Sequence, residues 1–242
     1  MNLRAFLVAA IASLVVDAKV SRVNHDQVQS FAQPQPITDS QKLLSSTNPS
    51  STSPMDATRT LPSKPTAQLV AVSNGLDLLM ETARALGSQV YSRSEWYYDK
   101  WAIMYAWYFP KGRYSLTGHR HYWEYAIVWT DSPTSSNSSI QGVSMSAGVG
   151  HAKATPPMLK YINGSSIKLD SYFSLVGSKA ALQLTKEAGE TQDLITWDQL
   201  TVAARDTLNS DALDGNVWLT NKDEVPFKDS IFMKRLEDAF PF

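Results

Sequence analysis

The chain has 242 residues, Lys+Arg 22 against Asp+Glu 23, a formal charge of −1 and no cysteine. That length supports one substantial domain with its own core, and the balanced charge offers no basic field for nucleic acid. Without cysteine there is no disulfide framework, so the core alone must hold the fold.

Residues 1–18 read as a secretory leader. Arg4 supplies the positive start, residues 5–16 the apolar stretch and Val16-Asp17-Ala18 a small-residue cleavage site. The apolar run is well short of the roughly 20 residues a spanning helix needs, and no later segment is longer, so an exported protein is expected. Residues 19–66 form an N-terminal arm and a loose connection. Within them 24–36 suit an edge strand or extended arm, and 38–66 are rich in Ser, Thr and Pro, a linker composition. From residue 67 to 242 the chain reads as one compact domain.

In that block Leu76, Leu79, Met80, Ala83 and Leu86 recur at helical spacing, and Gly87 can end the helix. Strands are predicted over 89–91, 101–109, 121–130, 142–147, 166–172 and 217–219. The run 101–109 is apolar or aromatic on both alternating sets, as in a strand buried on both faces. Thr196 with Gln199 makes a capping box opening a helix over 197–208, with Trp197, Leu200, Ala204 and Leu208 on one face. Asp229 is placed to cap a last helix carrying Phe232, Leu236 and Phe240. Many short strands with a few helices predict a mainly β, α+β domain centred on a β-sandwich. Asn137-Ser-Ser139 and Asn163-Gly-Ser165 are sequons in turn-like stretches, candidate N-glycosylation acceptors.

The chemistry-bearing stretch is Gly118, His119, Arg120, His121, Tyr122, Trp123 and Glu124. Two histidines and a carboxylate invite a metal or acid/base reading. Strand alternation, however, sets His121 with Trp123 opposite Tyr122 and Glu124, the position of a hydrogen-bonded core residue. No further His or carboxylate follows at ligand spacing, no nucleophile has a local signature, and no glycine loop cradles phosphate. An enzyme is not expected.

Residues 102–111 and the heptapeptide GHRHYWE at 118–124 resemble the NLP family, necrosis- and ethylene-inducing peptide-like proteins of plant-associated oomycetes, fungi and bacteria, whose heptapeptide is typically GHRHDWE. The likeness extends to residues 25–37, 87–91, 94–97, 192–201, 203–205 and the terminal 239–242. It implies a central β-sandwich related to actinoporins and lectins. In cytolytic members it implies a divalent cation held by the first His, the Asp and the Glu of the heptapeptide, with an Asp after the preceding Pro-Lys. That cation helps to engage plant sphingolipid headgroups before the membrane is damaged.

Carried onto this sequence, His119 and Glu124 are kept, while Tyr122 and Gly112 stand where two carboxylates belong. A hard cation needs charged oxygen ligands and a phenol at neutral pH carries no charge, so at most a weak Mg²⁺ or Ca²⁺ site is expected and no cofactor is required. The family's Ser-Ala-His is Ser146-Ala147-Gly148 here, its Trp-Pro loop corresponds to Phe173-Ser174, and the family's cysteine-bounded loop is replaced at 76–87. The resemblance implies a secreted monomeric effector of a plant pathogen, weakly or non-cytolytic in the apoplast. Its segment 102–124 would be the pattern read by a plant cell-surface immune receptor. The alternative is an active cation-dependent cytolysin with substitute ligands such as Asp131 or His151; a sugar- or lipid-binding module that never perforates is the third reading.

Overall fold

The computed structural model describes residues 21–23, 32–51, 68–70, 89–112, 119–134, 136, 138–175, 179–214 and 224–242. The expected leader, the helix at 76–86, the strand at 217–219 and Asn137 lie outside them. In chain order the elements are β1 (Ser21–Val23), α1 (Asp39–Ser46), β2 (Ser50–Ser51), β3 (Gln68–Val70), β4 (Gln89–Tyr97), β5 (Lys100–Gly112), β6 (His119–Thr130), β7 (Ile140–Ser146), β8 (His151–Ala154), β9 (Ile162–Asn163), β10 (Ser166–Ser174), β11 (Lys179–Leu184), β12 (Asp193–Thr196), α2 (Val202–Asn209) and α3 (Phe232–Ala239).

The six-stranded sheet β12-β4-β5-β6-β7-β8 faces a smaller sheet β11-β10-β2, to which β9 adds; β1 and β3 pair in parallel apart from both. The described chain is mainly β with a few helices, as the strand count predicts. β5 shows why the sheets stack as they do. Ile103, Tyr105 and Trp107 point into the core shared with the smaller sheet, beside Leu43, Ile167 and Leu169. Ala102, Met104, Ala106 and Tyr108 point the other way, into a second core closed by Leu208, Phe232 and Leu236 from α2 and α3. Strand alternation sends successive side chains to opposite faces, so a strand apolar at every position belongs in the middle of three layers.

Three expectations are corrected. The stretch 38–51 is no loose connection. Thr38 and Gln41 form a capping box, Leu43 and Leu44 are buried, and β2 pairs with β10. Tyr105 donates to the Leu44 carbonyl at 2.8 Å and shares a 2.6 Å bond with Thr47, tying α1 to β5. Two adjacent leucines behind a cap outweigh Ser/Thr-rich composition, because they bury apolar area. Before it, Gln33 accepts from the Leu194 amide at 3.1 Å on the edge strand β12.

The helix expected over 197–208 is split. The Thr196–Gln199 capping box is present, but it opens only a 3-10 turn. Leu200 returns to extended backbone and Thr201 caps α2 afresh through the Ala204 amide. Trp197, Leu200, Ala204 and Leu208 still reach one core.

Asp229 does not cap the last helix. α3 starts at Phe232 with Ile231 at its N-cap and no side-chain cap. Asp229 instead accepts from Arg93 at 2.6 Å and from Asn209 at 2.8 Å. Strand limits also run past the sequence-based ones: β4 extends to Tyr97, β5 spans Lys100–Gly112, β6 begins at His119 and β10 reaches Ser174.

Candidate functional site

The site is built on the paired ends of β5 and β6. The ladder sets Trp107 opposite Glu124, Phe109 opposite Tyr122, Lys111 opposite Arg120 and Gly112 opposite His119. The register passes over His121, which lies across from Pro110. Proline has no N–H to give the ladder, and His121 takes φ +55° there, a left-handed conformation that is uncommon outside glycine. Its ring is buried and shares a 2.5 Å bond through Nδ1 with the Tyr108 hydroxyl. Trp123 lies in the helix-side core, where His121 meets Tyr108, while Tyr122 lies in the core shared with the smaller sheet and Glu124 meets Ser171 of that sheet, as alternation predicts.

Glu124 is wholly buried. The Ser171 hydroxyl, from β10, stands 3.2 Å from its Oε2 and 3.4 Å from its Oε1, and the Tyr122 hydroxyl stands 3.3 Å from Oε1. Tyr122 is also 2.7 Å from the Ala180 carbonyl on β11. A phenol has one hydrogen, and the shorter contact takes it, so Tyr122 fastens β6 to β11 beside the carboxylate. Ser171 was missed in the sequence. Ile167 and Leu169 point inward, and counting two more along the strand would have placed Ser171 on the same face as Glu124.

The donors differ from the set that the resemblance implies. Position 122 offers a neutral phenol held on a carbonyl, and position 112 has no side chain. Among the described residues no three His, Cys, Asp or Glu side chains form a group that could hold a metal. Asp131 and His151 lie elsewhere in the fold. Asp131 follows the opposite end of β6 from His119 and accepts from the Ser139 amide and hydroxyl at 2.8 and 2.6 Å. Those bonds, the hydroxyl first, hold its carboxyl below the usual range. His151 bonds the Tyr125 hydroxyl through Nε2 at 2.6 Å, on the face away from Glu124.

Around this pair, Ser146 accepts from the Tyr125 amide at 3.2 Å, and Leu175, which follows β10, is 86% exposed. Asn163 is exposed in a hairpin where Gly164, at φ +61°, and Ser165 are the two central residues. Glycine at the first of these is the signature of a II′ turn. Among the described residues no helix is long and apolar enough to cross a membrane.

Comparison with known proteins agrees with this geometry. A family model described as necrosis inducing protein (NPP1) matches residues 79–239. The NLP effector protein Pc118548 of Phytophthora capsici is 68% identical over 254 residues, covering 100% of both chains. NLP effector protein 7 of Plasmopara viticola is 40% identical over 255 residues, again covering 100% of each. Among solved structures, NLPPya in complex with mannosamine matches with TM-score 0.76 at 34% identity, covering 91% of this chain and 99% of that one. The non-toxic HaNLP3 protein matches with TM-score 0.72 at 34% identity, covering 90% and 99%. With relatives alike over its whole length and the sandwich around Glu124 shared, the chain belongs to the NPP1 necrosis-inducing family, the NLP effectors of plant pathogens.

Proposed function

We propose that this effector is exported to the plant apoplast and is weakly or not cytolytic there, with no enzymatic activity and no required cation. The observation that carries the proposal is Glu124, wholly buried beside the hydroxyls of Ser171 and Tyr122, with phenol and glycine where two charged oxygen ligands would be needed. Calcium-site affinity spans about 10⁻⁹ to 10⁻³ M with ligand charge and rigidity, and this donor set falls at or beyond the weak end. The likeness to non-toxic HaNLP3 supports a retained fold without toxicity. In this proposal segment 102–124 is the pattern that a plant cell-surface immune receptor reads, and Asn163 carries an N-glycan at its exposed hairpin.

The deciding experiment is dye release from eudicot plasma-membrane vesicles, with and without millimolar Mg²⁺ or Ca²⁺, beside a cytolytic relative. Release by the relative alone is the expected result, and cation-dependent release by this chain would overturn the proposal. The second reading is a cation-dependent cytolysin engaging sphingolipid headgroups. The observation favouring it is the likeness to NLPPya, which is solved with mannosamine and with glucosamine.

A further inference from the structure

Among the described residues, those at the two ends of the receptor-read segment are deeply hidden. Residues 102–108 are each 0% exposed, and Tyr122, Trp123 and Glu124 are at most 5% exposed. Their backbone is occupied as well. β5 is paired on both sides over Trp101–Ala106, to β4 and to β6, so that stretch offers no edge that another chain could extend, and 119–124 of β6 is paired to β5. Both faces of 102–108 are covered, one by the smaller sheet and one by α2 and α3. Central strands of this kind open only when the whole domain unfolds.

Resting on the reading that a receptor recognises segment 102–124, we infer that the intact folded protein is silent to it and that the ligand is a fragment cut from the fold. Two exposed turns bracket the segment without interrupting it. Upstream is the β4–β5 turn, where Tyr98 is 78% exposed at φ +51° beside Asp99. Downstream is the connection after β6, where Asp131 and Ser136 are exposed. Exposed turns are preferred sites of nicking. Each cut adds one water across one peptide bond by an endopeptidase of the surrounding fluid, giving a carboxylate and an amine, with no other reactant. Two cuts leave the β5–β6 pair joined to the rest only by its sheet bonds and side-chain contacts, and it departs when the nicked sandwich opens.

The test is displacement of a labelled 102–124 peptide from membranes of responsive leaf tissue, with protease inhibitors present. The competitors are unlabelled peptide, the folded full chain, and the same chain after unfolding or digestion at the two turns. A folded domain keeps an unfolded fraction of about 10⁻³ or less, and apparent affinity falls by that fraction. The folded chain therefore competes about a thousandfold or more weakly, and the digested chain matches the peptide. Leu236→Ala, in α3 and outside the segment, strengthens competition by the factor by which it raises the unfolded fraction in a denaturant titration. Displacement by the folded chain at the peptide's own concentrations overturns the inference while leaving the pattern intact. A digested chain that fails where the peptide succeeds also overturns it. A labelled peptide that does not bind removes the receptor reading, and the inference with it.

Discussion

The Tyr122 hydroxyl lies 2.7 Å from the Ala180 carbonyl, so the residue standing where the family has a cation ligand here joins β6 to β11. The substitution does more than remove a charge, because it gives the two sheets a direct bond beside Glu124. Tyr122→Phe should cost about 1 kcal/mol, the net worth of one such bond plus an unpaired carbonyl, read as a shift in urea midpoint. Tyr122→Asp sets a second carboxylate next to buried Glu124 and should destabilise the chain further at neutral pH. It should also make the melting temperature depend on Mg²⁺ or Ca²⁺, with cation at about ten times its Kd adding about 1.4 kcal/mol. The unsubstituted chain should show no such shift.

Ser144 is a buried relay between sheet and C-terminal helix. It accepts from the Trp129 indole N–H at 3.1 Å and donates to the Ala239 carbonyl at 2.6 Å. Ser144→Ala strands both groups in a site without water access, at a cost of about 1–3 kcal/mol. Equilibrium unfolding in urea measures it, and an unchanged midpoint would show that the tail repacks.

How much of this was legible depended on whether the signal lay in alternation or in a competition between local and tertiary preferences. The burial of β5 on both faces followed from residues 102–108, where each alternating set is apolar. The opposite facing of His121 and Tyr122 followed from the same period. α1 is hidden in the sequence by Ser/Thr-rich composition, against which the Thr38–Gln41 box and the Leu43-Leu44 pair are a short local signal. Asp229 looked like a cap because it precedes an amphipathic run. The partner that claims it, Arg93, is 136 residues away in sequence and could only be met through the fold. The clasp on Glu124 was half readable. The loss of two carboxylates is legible at Tyr122 and Gly112, but the hydroxyl beside Glu124 comes from β10, and sheet packing decides that.

Arg93 is gripped on several sides. Its guanidinium lies 4.8 Å from the Trp197 ring centre and 4.6 Å from that of Phe232, donates to the Phe227 carbonyl at 2.8 Å and reaches Asp229. Asp229 is largely exposed, so that ion pair is screened and contributes little; the rings and the carbonyl decide the outcome. Arg93→Lys keeps the charge but loses the planar stack, and should cost about 1–2 kcal/mol. The loss should persist at 1 M salt, where a purely ionic contribution would vanish.

Burial of Tyr105 and Tyr108 should make the fold lose stability at alkaline pH. Both are wholly buried, and burial pushes each phenol far above its free value; for Tyr105 the Thr47 bond offsets a little of this. A group whose folded pKa is raised contributes stability that is complete below the unfolded pKa, about 10 for tyrosine. That stability is lost as pH climbs from there towards the folded value, because the unfolded chain releases protons the native state retains. Each such group should therefore add up to about 1.4 kcal/mol of instability per pH unit above 10. Tyr108→Phe separates the two contributions of the residue. Near pH 7 it should cost about 1 kcal/mol, since the His121 ring loses its 2.5 Å partner. Above pH 10 the variant's stability should fall less steeply by one proton's worth, so the two curves converge and then cross. Urea unfolding at intervals from pH 7 to 11.5, with phenolate absorbance followed in parallel, reads both effects. Parallel curves would mean that Tyr108 ionises within the folded chain.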